Sequence, residues 1–296
     1  MLSPLPFIVE KEGKLVLNEE VMNIIKSSVN PRFILFYGKT RLGKSTTLNQ
    51  LIRGNLETWK FVNKKPFDSC DTLNSITKGC DIFGPIKVKE LMKRHGLTKP
   101  SIKEDFDVFF CDTEGISSLD GIQKATIPGI LTLLQICTIS VFMVHKTCSS
   151  PDVKEICSQI QLSRILPKNL SSTPKVAVYI SSIFTGKREE DNNDENIGDE
   201  EDEDIESCKE KYKESADIEK QRIYSEVNKK YPDLHLKIID FEVIAGGPYE
   251  DIKKEPDHED TRVQLYWLSI KEILSVFIKN SLKEYKDKVN LINCLF

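Results

Sequence analysis

Residues 38–45 read Gly-Lys-Thr-Arg-Leu-Gly-Lys-Ser and follow the apolar run Phe33-Ile34-Leu35-Phe36. That order is the pattern of a phosphate-binding loop, because a strand that turns into a helix aims several backbone N–H groups at one point where an anion is stabilised. Each residue type has a task. Gly38 and Gly43 let the backbone approach phosphate oxygens, Lys44 pairs with the outer phosphates as a point charge, and the Ser45 hydroxyl takes one Mg²⁺ position.

A hydrolase built on such a loop needs an acid and an amide from a second strand end, to serve the metal and the terminal phosphate. Phe106–Cys111 reads as that strand, with Asp112-Thr113-Glu114-Gly115 directly after it. Asp112 is expected to hold Mg²⁺ through a water and the Gly115 N–H to touch the γ-phosphate. Between the two motifs lies Ser75-Ile76-Thr77-Lys78-Gly79, in a stretch of weak periodicity. A loop there would offer the Thr77 hydroxyl to Mg²⁺ only while the γ-phosphate is present, as switch loops do.

Together, the loop with Arg41 at its fourth position, the Ser-x-Thr-Lys-Gly segment and Asp-Thr-Glu-Gly resemble the large GTPase domain of the guanylate-binding protein and atlastin family, within the dynamin superfamily. The start of the chain is similar too: Pro6-Phe7-Ile8-Val9-Glu10, a turn at Glu12-Gly13, Lys14-Leu15-Val16-Leu17 and a helix over Asn18–Ser27. The likeness runs from about residue 6 to about residue 165.

The resemblance implies a single GTPase domain over residues 1–296, binding GTP or GDP with Mg²⁺ and hydrolysing GTP at the β–γ bond. Gly38, Lys39, Thr40, Arg41, Leu42, Gly43, Lys44, Ser45 and Thr46 would cradle the nucleotide with Asp112 and Gly115. Ser45, Thr77 and Asp112 would serve the metal. Arg41 falls on the family's internal arginine finger, which swings onto the γ-phosphate when two GTPase domains meet. Ser75 falls on a serine that orients the attacking water, Thr77 on the metal threonine, and Glu114 on a glutamate that supports the same water. A nucleotide-dependent homodimer follows from the same likeness.

One part of the family pattern is absent. Guanine is recognised there by a short Arg-Asp pair after the next strand, whereas here Lys175–Ile180 runs into Ser181-Ser182-Ile183-Phe184. No Asn-Lys-x-Asp tetrad replaces it. Asp240, after Leu236–Ile239, reads as structural or solvated. GTP is the nucleotide by resemblance, with ATP or dual use as alternatives, and a nucleotide-gated scaffold of negligible turnover is the rival to an enzyme.

The elements that must position these residues alternate. A hairpin and helix precede strand 33–36, a helix from 44, strand 106–111, helix 128–135, strand 137–144, helix 151–165, strand 175–180, helix 208–230, strand 236–244 and a last helix from about 262. Such alternation predicts an α/β fold of the P-loop NTPase class, a mostly parallel sheet flanked by helices on both faces, with ligands at the strand carboxyl ends. The stripe Ile270, Ile273, Leu274, Phe277 and Ile278 would pack the last helix on the sheet.

Composition fits one intracellular domain: 296 residues, 39% hydrophobic and 30% charged, suffice for a substantial core. The eight cysteines lack CxxC spacing, and the four histidines, His95, His145, His235 and His258, lack metal-ligand spacing. No secretory signal is visible, and Ile127–Val144, the longest apolar stretch, reads as a helix and then a core strand. We therefore expect a cytoplasmic protein, peripheral to an intracellular membrane at most, with no nucleic-acid partner. An acidic insert at about residues 187–207 is expected to be disordered. Its twelve acids between Glu189 and Glu206, set against a net charge of −4, leave the rest of the chain at +8. A basic face carrying Lys87, Lys89, Lys93, Arg94, Lys99 and Lys103 is its candidate partner.

Overall fold

In the computed structural model, which describes residues 3–12, 14–39, 41–54, 66–67, 79–97, 105–113, 130, 133–134, 136–163, 175–181, 205–246 and 261–283, the strand before the glycine-rich loop is buried at every position. That strand is Arg32–Gly38. Its Phe33, Leu35 and Tyr37 enter one apolar core, and Ile34 and Phe36 enter another on the opposite side. Successive side chains of a strand point to opposite faces, so an unbroken apolar run demands helices on both sides.

The elements in order are strands β1 (Leu5–Pro6), β2 (Ile8–Lys11) and β3 (Lys14–Leu17), helix α1 (Glu19–Ser27), β4 (Arg32–Gly38), α2 (Lys44–Arg53), β5 (Cys80–Lys87), α3 (Val88–Arg94), β6 (Asp107–Thr113), β7 (Ile139–His145), α4 (Ser150–Ser163), β8 (Val176–Ser181), α5 (Ile205–Lys230), β9 (Phe241–Gly246) and α6 (Thr261–Lys283). The main sheet runs β1-β5-β6-β4-β7-β8-β9, and β2 and β3 form a separate hairpin. From β6 to β9 all neighbours are parallel; β5 is antiparallel to β6, and β1 to β5. The protein is thus an α/β fold with a mostly parallel, seven-stranded sheet.

Each helix shows why it takes its side. α1, α4 and α5 give Val21, Ile25, Val153, Ile156, Ile223 and Val227 to the core containing Phe33. α2, α3 and α6 give Leu48, Leu51, Leu91, Ile270, Leu274 and Phe277 to the core containing Phe36. The stripe expected on the last helix is therefore its sheet-facing side. α1 starts where Asn18 Oδ1 accepts the Glu20 N–H at 3.0 Å, while Asn18 Nδ2 donates to Pro6 O at 2.9 Å and ties the helix to β1.

The sheet reverses direction at β4. After β4 the chain builds β5 and β6 on one side, then crosses to β7, β8 and β9 on the other. In open α/β sheets the crevice for ligands lies at such a point, beyond the strand carboxyl ends.

Several boundaries differ from expectation for local reasons. β6 runs through Asp112 to Thr113, because Asp112 pairs with Phe36 and Thr113 Oγ1 donates to Phe36 O at 3.0 Å. β9 starts at Phe241 and not at residue 236, since Pro232–Leu234 and Ile238–Asp240 form 3₁₀ turns. Asp240 closes the second by accepting the Lys237 N–H at 2.8 Å. Residues 205–207, assigned above to the insert, open α5. β5 and α3 were not foreseen, because Gly84-Pro85 interrupts the apolar alternation. A register shift between Phe83 and Ile86 moves the buried side chains from the Phe33 core, with Ile82, to the Phe36 core, with Ile86. Among the described residues, no helix is long and apolar enough to cross a membrane.

Phe33 and Phe109 stack across the β4–β6 pair with ring centroids 5.3 Å apart, and both are fully buried. Replacing Phe109 with Ala removes that contact and leaves a cavity in the core that its neighbours fill only in part. We expect a loss of about 3–5 kcal/mol in urea unfolding, with the slope unchanged.

Candidate functional site

The loop after β4 is shaped first by what it must avoid. Gly38 has φ +133°, and a Cβ on it would lie 2.6 Å from Met143 O of the neighbouring β7. Glycine is therefore required for the strands to stay paired, in addition to the close phosphate approach expected from sequence. Arg41 and Gly43 also have positive φ, 65° and 78°, so the chain curls between β4 and α2. Holding a non-glycine residue there costs about 1–2 kcal/mol. The Arg41 side chain is exposed, while Leu42 packs against the Phe36 core.

Gly43 caps α2 through its carbonyl, which accepts the Thr47 N–H at 2.8 Å, and no side-chain cap covers the first turn. A helix start of this kind leaves its N-terminal face suited to an anion. Lys44, 7% exposed, folds back so that Nζ donates to Lys39 O at 2.9 Å. The ammonium thus stands inside the loop.

The second motif arrives at the same place. Ser45 Oγ donates to Asp112 Oδ2 at 2.6 Å, joining the first turn of α2 to β6. Asp112 is fully buried. A buried carboxylate of this kind is held at a cost of several kcal/mol, offset only by donors or cations. A hydroxyl and a carboxylate oxygen form a hard donor pair suited to Mg²⁺, which prefers few protein ligands and completes its shell with phosphate oxygens and water.

The structure therefore brings together Gly38, Lys39, Arg41, Leu42, Gly43, Lys44, Ser45, Thr46 and Asp112. Thr40, Ser75, Thr77, Glu114 and Gly115 lie outside the described residues, as do residues 189–204, Lys99 and Lys103. The described chain resumes at Gly79, and β5 begins at Cys80, which pairs with Thr113, the residue after Asp112. Asp240 is removed from the site, because it precedes the first residue of β9 at the opposite edge of the sheet and pairs with Lys175 at 3.2 Å. Of the supposed basic face, Lys87 pairs with Asp107 at 2.9 Å, and Arg94 pairs with Glu90 and donates to Ile52 O at 2.7 Å.

Sequence reading missed the support behind the loop. Lys39 Nζ meets Asp152 Oδ1 at 2.7 Å, and Asp152 Oδ2 accepts both the N–H and the hydroxyl of Ser149 at the start of α4. Burial pushes the Asp152 carboxyl up, but Lys39 and the Ser149 donors outweigh it and hold it below the ordinary range. The preceding residues are clamped by α5. Glu219 Oε1 accepts from Thr147 Oγ1 at 2.7 Å and from the Cys148 N–H at 2.8 Å, and Arg222 donates to Glu219 and to Cys148 O. Ser149-x-x-Asp152 before an apolar helix is a capping pattern legible in sequence. Its second partner, Lys39, is not.

No protein-family model matches this chain, and no curated protein matches it in sequence.

Two measurements probe this frame. Gly38→Ala forces β4 from β7 or the loop out of shape, and should cost about 1–3 kcal/mol, read as a lower Tm. Burial raises the Glu219 carboxyl, but Arg222, Thr147 and the Cys148 N–H hold it below its usual value. Its stabilisation is complete above the unfolded-state pKa and disappears as pH falls through the lower folded one. Urea midpoints from about pH 5 to about pH 3 should fall less steeply for Glu219→Gln than for the parent chain.

Proposed function

We propose that this chain is a Mg²⁺-dependent nucleoside triphosphatase of the P-loop class, with GTP as its nucleotide and a large-GTPase type of domain. The observation that carries the reading is the 2.6 Å contact between Ser45 Oγ and Asp112 Oδ2, beside the buried Lys44. It places two oxygen donors and an ammonium at the carboxyl edge of the sheet, where its order reverses. That is the donor set a metal-bound triphosphate needs.

In this proposal Ser45 and Asp112 would hold the metal, with Thr77 as a further oxygen ligand. Mg²⁺ bound there would supply positive charge against the negative charge of the triphosphate. Lys44, whose ammonium carries three N–H donors, keeps the Lys39 carbonyl and gives another to an outer phosphate oxygen, and the N–H groups at the start of α2 and of Gly115 face the phosphates. Ser75 and Glu114 orient a water in line with the β–γ bond; its oxygen bonds to phosphorus as the bridging oxygen departs with GDP. Arg41 stabilises the charge that builds on the transferring group when two domains meet at the nucleotide face.

The choice of GTP and the homodimer rest on the resemblance to guanylate-binding proteins and atlastins. ATP is the second reading, favoured by the end of β8, where Ser181-Ser182 stands in place of an Arg-Asp pair and Asp240 lies at the opposite edge of the sheet. Cytoplasmic residence suits the cysteines, since among the described residues none forms a disulfide and five are buried.

Competition of a fluorescent GTP analogue by GTP, ATP and GMP, followed by chromatography of products, tests base choice and turnover together. We expect GTP to compete best and Lys44→Ala to abolish binding. Arg41→Ala should retain binding while turnover falls about 10³-fold or more. Unchanged residual turnover in Arg41→Ala would favour the nucleotide-gated scaffold, and better competition by ATP would favour an ATPase.

A further inference from the structure

The Lys39–Asp152 pair joins two segments that the chemistry of phosphate binding alone does not connect. Lys39 is the second residue of the loop, half-exposed, and its own carbonyl is the acceptor that positions Lys44 Nζ at 2.9 Å. Asp152 stands across the β4–β7 crevice, its side chain only 5% exposed. Its two oxygens divide the work. Oδ2 closes the start of α4 through the N–H and hydroxyl of Ser149, while Oδ1 takes the Lys39 ammonium at 2.7 Å. A helix cap needs only the first of these.

The anchor is itself immobilised. Thr147 and the Cys148 N–H bind Glu219 of α5, and Arg222 binds the Cys148 carbonyl, so the segment that presents Ser149 and Asp152 is tied on both sides. A fixed carboxylate that holds the loop's second side chain also fixes the orientation of that residue's peptide group, and with it the acceptor for Lys44. Such preorganisation matters because Lys44 would otherwise be ordered at the expense of binding.

We infer that Asp152 is a positioning residue for the phosphate loop, acting through Lys39 to set Lys44 in place for the outer phosphates of a nucleotide. The inference rests on the reading of the loop as a nucleoside triphosphate site. Asp152 touches no phosphate. Its contribution is to affinity, with little effect on the rate at saturation.

Two substitutions separate this role from the helix cap. Asp152→Asn keeps an oxygen for Ser149 but removes the charge that holds Lys39, and Lys39→Met leaves the cap untouched. Titration of the full chain with mant-GTP and mant-ATP in Mg²⁺ should show each variant binding its preferred nucleotide about three- to tenfold more weakly, a range set by the half-exposure of Lys39. The double variant should bind no more weakly than the weaker single one, because both remove the same interaction. KM should rise while kcat is retained, and Tm for Lys39→Met should stay within about 2 °C of the parent, the size of a surface change.

The inference is overturned if the parent chain binds nucleotide and Lys44→Ala does not, yet Asp152→Asn and Lys39→Met bind like the parent. It is also overturned if only Asp152→Asn loses affinity, since the effect would then run through α4. If the parent binds neither mant-GTP nor mant-ATP, the triphosphate reading fails first and takes the positioning role with it.

Discussion

The hydrogen bond from Ser45 Oγ to Asp112 Oδ2 is the constraint on which the site depends. It joins the first turn of the helix after the loop to a buried residue on the neighbouring strand, two segments separated by 67 positions in sequence. For that contact to exist, β4 and β6 must be parallel and in the register that sets Phe36 opposite Asp112. Both faces of β4 must be covered, because its side chains are apolar on both. The two cores are thus conditions for the polar contact, which sets a hydroxyl and a carboxylate together beside the start of α2.

The other side of β4 imposes a different demand. β7 approaches closely enough at Met143 to exclude any side chain at position 38, so the loop leaves the sheet at a glycine. Beyond β7 the chain turns through Lys146–Ser149, held by Glu219 and Arg222, before α4 presents Asp152 to Lys39. The loop is therefore held from both neighbouring strands: through Ser45 and Asp112 on one side, and through Lys39 and Asp152 on the other. Charge pairing does this at modest cost because Lys39 is half-exposed and Asp152 has Ser149 as a second source of donors.

Much of this was legible in the residues. The glycine-rich turn between β4 and α2, the strand before Asp112, the hairpin with its helix and the apolar stripe on α6 all follow from short-range patterns whose periods match their elements. Elements whose logic is non-local were harder to see. β5 changes faces at Gly84-Pro85, so its alternation looks broken until the register shift against β6 is known. Residues 236–240 have the composition of a strand but end in a 3₁₀ turn, Ile238–Asp240, closed by Asp240, a local hydrogen bond that competes with pairing. The Ser149–Asp152 cap was written in the sequence, yet the role of its second carboxylate oxygen depended on Lys39, 113 positions away, and no spacing announces such a partner.

The central claim is that the loop, Lys44, Ser45 and Asp112 surround one metal-bound triphosphate. A crystal structure of the full chain with Mg²⁺ and a non-hydrolysable GTP analogue tests it most directly. The account predicts phosphate oxygens against the backbone of residues 38–45, Lys44 Nζ donating to one of them while it keeps the Lys39 carbonyl, and one metal beside Ser45 and Asp112. Nucleotide bound elsewhere on the protein, with no phosphate near Lys44 and the Ser45–Asp112 contact unchanged, would contradict it.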